Sequence, residues 1–278
     1  MWTESRFTAS QGVELYEKSW TPDAVPMAHL ILLHGFAEHA NRYNHVAEAF
    51  NDAGIAVHAY DQRGFGHSPG KRAEIYDFTH FLEDLDAFIE HVRPRFNDTP
   101  WFLMGHSMGG MVLARYAQTR IFDARGLIFS SPFLAFPDSV PPFIIALSGV
   151  LSKVTPWLPV GGVDTSGLSR DPEAVNAAKA DPLHYHGWVS ARTGGQFLRA
   201  IREAEHAYSA ITLPSLIVHG TADKVVSMRG TRRLAAECGA ADKTFTPYEG
   251  GFHELWNDLE KDKAIAQFRD WMLARCGK

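Results

Sequence analysis

The chain is predicted to adopt an α/β fold: a mostly parallel central sheet, helices on both faces, and a mainly helical cap inserted over one rim. Three observations carry this prediction. Short apolar runs alternate with segments of helical period through the first half of the 278 residues, which is how a parallel sheet covered on both faces reads. Near Ser130-Ser131-Pro132 the alternation fails, and the next strand-like run, Leu216-Ile217-Val218-His219, arrives only after roughly eighty residues, which marks an insertion. Finally, Gly105-His106-Ser107-Met108-Gly109 follows the apolar run Trp101-Phe102-Leu103-Met104 and precedes a helix-forming run, so a serine occupies a sharp strand-to-helix turn.

Taken in order, His29-Leu30-Ile31-Leu32-Leu33, Ile55 to Tyr60, Trp101 to Met104 and Leu127-Ile128-Phe129 are near-continuous apolar runs, as strands buried on both faces require. Between them the clearest helix places Phe78, Phe81, Leu82, Leu85, Phe88, Ile89 and Val92 on one face, with Asp77 at its start as a cap. Core packing accounts for that stripe. The insertion is read as a cap spanning 133–209, laid over the carboxyl ends of the strands, with the core formed by 1–132 and 210–278. Prolines 132, 137, 141, 142, 156 and 159 punctuate its first half, and Gly161-Gly162 and Gly194-Gly195 are candidate hinges. After the cap come the Leu216 strand, a helix over Met228 to Cys238, a strand over Lys243 to Tyr248, and a closing helix with Ala264, Ile265, Phe268 and Met272 turned inward.

Composition narrows the class. With 45% hydrophobic and 21% charged residues, the chain can bury a sizeable core without disulfides or metals. Its formal charge is −5, from 27 Lys and Arg against 32 Asp and Glu, and no basic cluster exceeds pairs such as Lys71-Arg72 and Arg232-Arg233. Nucleic acid is therefore not an expected partner. Met1 to Arg6 lacks the pattern of a secretion signal. Val140 to Leu151 is interrupted by proline and glycine and is too short to span a bilayer. Cys238 and Cys276 are expected as free thiols, which suits a reducing cytoplasm. The apolar cap is a candidate surface for peripheral membrane contact.

A serine hydroxyl needs a base within hydrogen-bond reach and a carboxylate to orient that base. On a strand-turn-helix elbow of this kind the partners follow as acid and then histidine, each after a later strand. Asp223 follows the Leu216 strand across Gly220-Thr221-Ala222, and His253 follows the strand ending near Tyr248 across Glu249-Gly250-Gly251-Phe252. Alone, either residue reads as an ordinary loop residue; their joint order after Ser107 makes the candidate triad. Asp258 and Glu249 are the fallback acids, and His184, His186, His206 and His219 are expected in surface or packing roles. Backbone N–H groups stabilise the oxyanion of acyl transfer, and the candidates are Met108, next after the nucleophile, and Phe36 in the loop after the first buried strand. His34 is expected to brace that loop. A zinc site from His34, His39 and His45 fails on ligand type and spacing; no metal or cofactor is expected.

These motifs together resemble the α/β-hydrolase superfamily, and within it the monoacylglycerol lipase and lysophospholipase branch. His34-Gly35-Phe36-Ala37-Glu38-His39 followed by Arg42-Tyr43 is similar to that branch's oxyanion-loop motif, and Asp61-Gln62-Arg63-Gly64-Phe65-Gly66-His67-Ser68 to its second signature. Gly105 to Gly110, Asp181-Pro182-Leu183, His219-Gly220 with Asp223, and His253-Glu254 match further segments, so the resemblance runs from about residue 10 to the end. It implies Ser107, Asp223 and His253 as the relay and the Phe36 and Met108 backbone as the anion hole. It also implies that Glu38 and Arg42 shape or bind the polar end of the substrate, with a structural ion pair as the other reading.

The function expected is hydrolysis of lipid-like carboxylic esters, monoacylglycerols first, through an acyl-enzyme intermediate. The apolar stretch Phe143-Ile144-Ile145-Ala146-Leu147, continuing through Val150, Leu151, Val154, Trp157 and Leu158, is a candidate acyl tunnel or else a packing seam, with Phe143, Ile144 and Leu147 as its substrate-binding candidates. Lysophospholipase and short-chain carboxylesterase are the alternatives. An aminopeptidase is disfavoured because the Gly35 loop lacks a Gly-Gly-x-Gly form; a dehalogenase or epoxide hydrolase would need aspartate where Ser107 stands. A ligand receptor on the same scaffold is disfavoured by the complete set of triad residues.

Overall fold

The computed structural model describes residues 1–277. In chain order, β1 (Trp2–Thr8), β2 (Glu14–Trp20) and β3 (Ala28–Leu33) lead into α1 (Asn44–Asn51), β4 (Ile55–Tyr60), α2 (Thr79–Val92), β5 (Trp101–His106), α3 (Met108–Thr119) and β6 (Gly126–Ser130). The insertion contributes α4 (Pro142–Val154), β7 (Pro159–Gly162), α5 (Pro172–Ala180), β8 (Trp188–Ser190) and α6 (Ala191–Glu205). The chain then closes with β9 (Ser215–Gly220), α7 (Met228–Glu237), β10 (Lys243–Tyr248) and α8 (Lys261–Cys276).

The main sheet has the order β1-β2-β4-β3-β5-β6-β9-β10. From β4 to β10 neighbouring strands run parallel, while β2 pairs antiparallel with both β4 and β1. The expected parallel strands are present. The antiparallel hairpin at the edge is not among them, because in β1 only Phe7 is buried and the remaining residues are exposed, so the strand carries little apolar signal.

Side chains alternate across each strand, and the two faces feed two separate cores. Ile31, Leu33, Leu103, Leu127, Phe129 and Ile217 pack with α2, α3 and α6; Leu30, Leu32, Phe102, Met104, Ile128, Leu216 and Val218 pack with α1 and α8. Both faces being covered, every second position must be apolar on each side, hence the unbroken runs in sequence. The α2 stripe is buried as expected apart from half-buried Ile89, and Asp77 Oδ1 accepts from the Thr79 N–H at 2.9 Å.

In the insertion a two-stranded ribbon, β7 with β8, joins the helices. Gly194 and Gly195 are not a hinge: they lie inside α6, where a Cβ on Gly195 would overlap Ser152 Cβ of α4. Glycine there lets two helices approach closely, an outcome that local sequence does not distinguish from a flexible joint. Gly161-Gly162 likewise sits within β7. On the other side of α6, Phe197, Ala200, Ile201 and Ala204 join the core cluster shared with α3.

Several histidines are buried as neutral imidazoles, which makes stability pH-dependent. Burial holds His29, His34 and His184 down at about 4, His58 at about 3, and His106 well below the ordinary value. Unfolded, each takes up a proton below about 6.5; folded, each stays neutral to near pH 4. Stability is therefore fully present above pH 6.5 and is lost as pH falls toward 4. Burial raises Glu38 to about 7, and the Asp223 carboxylate raises His253 above its ordinary value; each opposes this trend by up to one proton. Urea melts between pH 7 and pH 5 are expected to show a net uptake of at least two protons on unfolding. A flat dependence would contradict it.

Candidate active site

Ser107 sits between the last residue of β5 and the first of α3 with φ 52° and ψ −116°. A non-glycine residue held there costs on the order of 1–3 kcal/mol, a strain that clusters at functional sites. The turn closes only because its flanks lack side chains: a Cβ on Gly109 would overlap the Leu33 carbonyl oxygen, and one on Gly105 the Gly109 carbonyl. The elbow is held by its neighbours, with Ser107 N–H donating to Ser130 O at 3.0 Å and Phe133 N–H to Ser107 O at 2.9 Å.

Asp223 and His253 are brought together. His253 Nδ1–H donates to Asp223 Oδ2 at 2.7 Å, and Asp223 Oδ1 accepts from the Val225 and Val226 N–H groups at 2.8 and 3.0 Å. Burial alone would raise the Asp223 carboxyl; the His253 charge and hydrogen bond, with the His219 imidazole close by, hold it well below the usual carboxylate range instead. For His253 the signs reverse: burial lowers it, and the Asp223 carboxylate, with Glu254 and Glu38, carries it above its ordinary value. Nε2 is then the nitrogen left for a proton transfer. Ser107 and His253 line the same cavity, without a formed hydrogen bond between them among the described residues, a looseness common in unliganded sites.

The loop after β3 carries the second candidate donor. Gln62 N–H donates to His34 Nε2 at 2.8 Å, so Nδ1 holds the imidazole hydrogen and donates it to Gly35 O at 2.7 Å. In a trans peptide the C=O and N–H point opposite ways, so this tie fixes the direction of the Phe36 N–H. Gly35 N–H is itself held by Glu38 Oε1 at 2.5 Å, and a Cβ on Gly35 would come within 3.1 Å of Ser107 Cβ. Met108 is the first residue of α3, so its N–H has no partner one turn back.

Glu38 and Arg42 line the cavity, and they are bound chiefly to each other and to Glu254. Arg42 Nη1 donates to Glu38 Oε2 at 3.0 Å and to Glu254 Oε1 at 2.5 Å, and Nη2 donates to Glu254 Oε2 at 2.8 Å. Tyr43 OH donates to Glu38 Oε1 at 2.8 Å. Despite the cost of burial, Glu254 is held down to about 2 by Arg42, whereas burial and the Glu254 charge push Glu38 up to about 7 against the pull of Arg42. In sequence Glu254 stands out only as part of the His253-Glu254 motif; its partner is 212 residues away, and no spacing rule reaches that far.

The fallback acid Asp258 is engaged elsewhere. It accepts from Phe252 N–H at 2.9 Å and from the Arg170 N–H and Nε at 2.8 and 2.9 Å, pinning the loop before His253 to the cap. Glu249 is not among the cavity residues. A second tie joins the cap to the loop after β3, with His39 Nε2 2.7 Å from Asp181 Oδ2 and Tyr185 N–H donating to Ala37 O at 2.8 Å. His34, His39 and His45 thus bond to three different places, His45 to Trp256 O at 3.0 Å. Among the described residues no cluster of three or more histidine, cysteine, aspartate or glutamate side chains could hold a metal.

The cavity measures about 260 Å³. Phe36, Phe133, Phe136 and Phe197 form one wall, in edge-to-face contacts with centroids 5.0–5.4 Å apart, and Val140, Ile144 and Val226 line other parts of it. His184, expected to pack or face solvent, lines it too, as do His106 and Leu168. Of the stretch Phe143 to Leu147, Ile144 and Ile145 are in the lining, and Phe143 and Leu147 are not: they are 70% and 48% exposed. With Val150 and Val154 they follow an i, i+4, i+7, i+11 spacing, one stripe of α4 turned outward. Successive residues of a helix turn about 100° from one another, so the adjacent Ile144 and Ile145 border the cavity together while Phe143 and Leu147, one turn apart, face away from it. Trp157 and Leu158 are also exposed; the Ala146 side chain lies outside the described residues.

The comparisons with known proteins agree with this architecture. The family model described as serine aminopeptidase, S33 (Hydrolase_4) matches residues 24–260. A monoacylglycerol lipase of Mycolicibacterium smegmatis is 34% identical over 272 residues, covering 98% of this chain and 97% of its own. The human monoglyceride lipase is 33% identical over 251 residues, covering 90% and 83%. The crystal structure of Paleococcus ferrophilus monoacylglycerol lipase superposes with a TM-score of 0.85 at 34% identity, over 94% of this chain and 99% of that one. The family model's description names a peptidase, whereas these relatives, matched over most of their length, carry lipase names. The chain belongs to the α/β-hydrolase superfamily and, within it, to the monoacylglycerol lipase and lysophospholipase branch of carboxylic ester hydrolases.

Proposed function

We propose that this protein hydrolyses monoacylglycerols, with Ser107 as nucleophile, His253 as general base and acid, and Asp223 as the carboxylate that orients it. The observation that carries this reading is the His253–Asp223 hydrogen bond opening onto a cavity that also holds Ser107 and is apolar along most of its lining, with Glu38, Arg42 and Glu254 as a polar patch. His253 Nε2 takes the Ser107 proton as Oγ attacks the ester carbonyl, and the Phe36 and Met108 N–H groups receive the oxyanion. Collapse expels glycerol with the proton from His253 and leaves an acyl-serine. Water, deprotonated by His253, then attacks that ester and releases the fatty acid. Glu38 and Arg42, largely committed to one another and to Glu254, shape the polar end and hold the anion-hole loop; Ile144 borders the acyl chain.

A panel of monoacylglycerols of rising chain length, lysophospholipids and acetyl esters, compared by kcat/KM, tests this. Highest values on monoacylglycerols are expected. A maximum on lysophospholipids or on acetyl esters would assign the site to one of the alternatives instead.

In this reading residues 133–209 are the cap over a core of 1–132 and 210–278, and the free thiols of Cys238 and Cys276 fit a cytoplasmic setting. No helix among the described residues is long and apolar enough to cross a membrane. The outward stripe of α4, together with the exposed Trp157 and Trp188 of the cap, gives a surface for peripheral contact with lipid. Replacing Phe143 and Leu147 together by serine is expected to weaken sedimentation with phospholipid vesicles about tenfold or more, given about 1.5–3 kcal/mol per large apolar side chain buried, while kcat/KM on a water-soluble ester stays unchanged. Vesicle binding unaltered in the double variant would remove this surface from the account.

A further inference from the structure

The buried His219, which the mechanism does not use, stands against the carboxylate that orients the catalytic histidine. It lies in β9, four residues before Asp223, and its side chain is inaccessible to solvent. Its Nε2 is 3.2 Å from Asp223 Oδ2, the same oxygen that accepts from His253 Nδ1. That approach is off-line, so Nε2 has no properly aligned hydrogen-bond partner. On the other side of the ring Nδ1 meets Thr231 Oγ1 of α7 at 2.7 Å. A hydroxyl that donates to Nδ1 leaves the imidazole hydrogen on Nε2, facing the carboxylate.

We propose that His219 is a positioning residue that acts through Asp223: it shares Oδ2 with His253, fixes the carboxylate from behind, and weakens its hold on the catalytic imidazolium. This rests on the triad reading above. A carboxylate with a second N–H dipole on one oxygen has less charge to offer His253, and a weaker attraction lets the imidazolium release its proton at lower pH. His219 would thus keep more His253 in its basic form near neutrality, against the upward pull of a fully buried aspartate. The other titratable and charged groups facing this pair are the neutral His106, whose ring centroid is 4.7 Å from that of His253, and Glu254, Glu38 and Arg42 around the cavity. Lys224, beside Asp223 in the chain, turns to the Phe252 ring at 4.9 Å. Among the described residues none of these makes a hydrogen bond or ion pair with the His219 side chain, which has Thr231 and Asp223 as its polar neighbours.

The test is the acid limb of the pH profile of kcat/KM on a soluble ester. In His219→Leu the limb is expected to move up by about 0.5–1 unit, with KM little changed. His219→Gln, whose amide N–H can reach the same oxygen, should restore the limb to within about 0.2 units of wild type. Thr231→Val keeps the imidazole but frees its tautomer, and should move the limb in the same direction by a smaller amount; it serves if the leucine variant does not fold. A limb that stays put in both His219→Leu and Thr231→Val, or one that moves equally with Leu and Gln, overturns the proposal. A wild-type enzyme with no ester hydrolysis, or with no acid limb at all, would instead overturn the triad reading on which it rests.

Discussion

Ser107→Ala is expected to lower kcat by about five to six powers of ten, the scale of removing the nucleophile from a triad, or roughly 7–8 kcal/mol of transition-state stabilisation. The cavity, the loop after β3 and the His253–Asp223 pair do not depend on the hydroxyl, so KM should change little and a small residual rate should persist. Stability should hardly move, since alanine meets the same strained φ of 52° and the hydroxyl makes no hydrogen bond within the protein among the described residues. Steady-state kinetics on a monoacylglycerol, with labelling by a serine-directed phosphonate read by mass spectrometry, checks both halves. A variant that keeps more than a few per cent of activity, or that still takes up the phosphonate at the elbow, would refute the assignment.

Arg42→Met is expected to destabilise the fold by about 3–5 kcal/mol, the cost of leaving buried charge without its partner. That is a large part of the roughly 5–15 kcal/mol that holds a domain together. The three side chains are 8%, 3% and 2% exposed for Arg42, Glu38 and Glu254, so solvent screens them little. Without the guanidinium, both carboxylates face each other in a dry site, and one must take a proton. The double replacement Arg42→Met with Glu254→Leu removes the stronger pair as a unit and should recover at least half of the loss, because the ions' burial cost disappears with them. Urea denaturation at pH 7 measures all three proteins. A loss below 1 kcal/mol in the single variant would mean that the cluster is already neutral or wet.

The legible parts of this protein are those in which neighbours in sequence are also partners in space. Trp101 to Met104, the Ser107 turn and the Met111 to Tyr116 helix are contiguous, and glycine at 105 and 109 is demanded by backbone contacts within the turn and with the adjacent strand. Strand positions were readable because a sheet covered on both faces needs unbroken apolar runs. The α4 helix shows where this stops. It is apolar on every side, so periodicity offers two stripes and no basis for choosing Ile144 over Phe143. Gly194-Gly195 fails in the same manner, since a joint and a close helix crossing ask for the same residues.

By itself, the sequence determined the order of the buried parallel strands, the serine in the strand-to-helix turn, and the candidate acid and histidine that follow later strands, because each is encoded by local propensity and by distance along the chain. Only the tertiary structure decided which charges meet: Arg42 with Glu254, Asp258 with Arg170 rather than with His253, and His219 behind Asp223. The physical reason is the sheet order. Parallel pairing sets β3 against β5 and β9 against β10 with whole helices between them in sequence, so loops remote in the chain share one rim. Which polar groups then pair depends on burial and on distances of a few ångströms, and neither quantity is written in the spacing of residues.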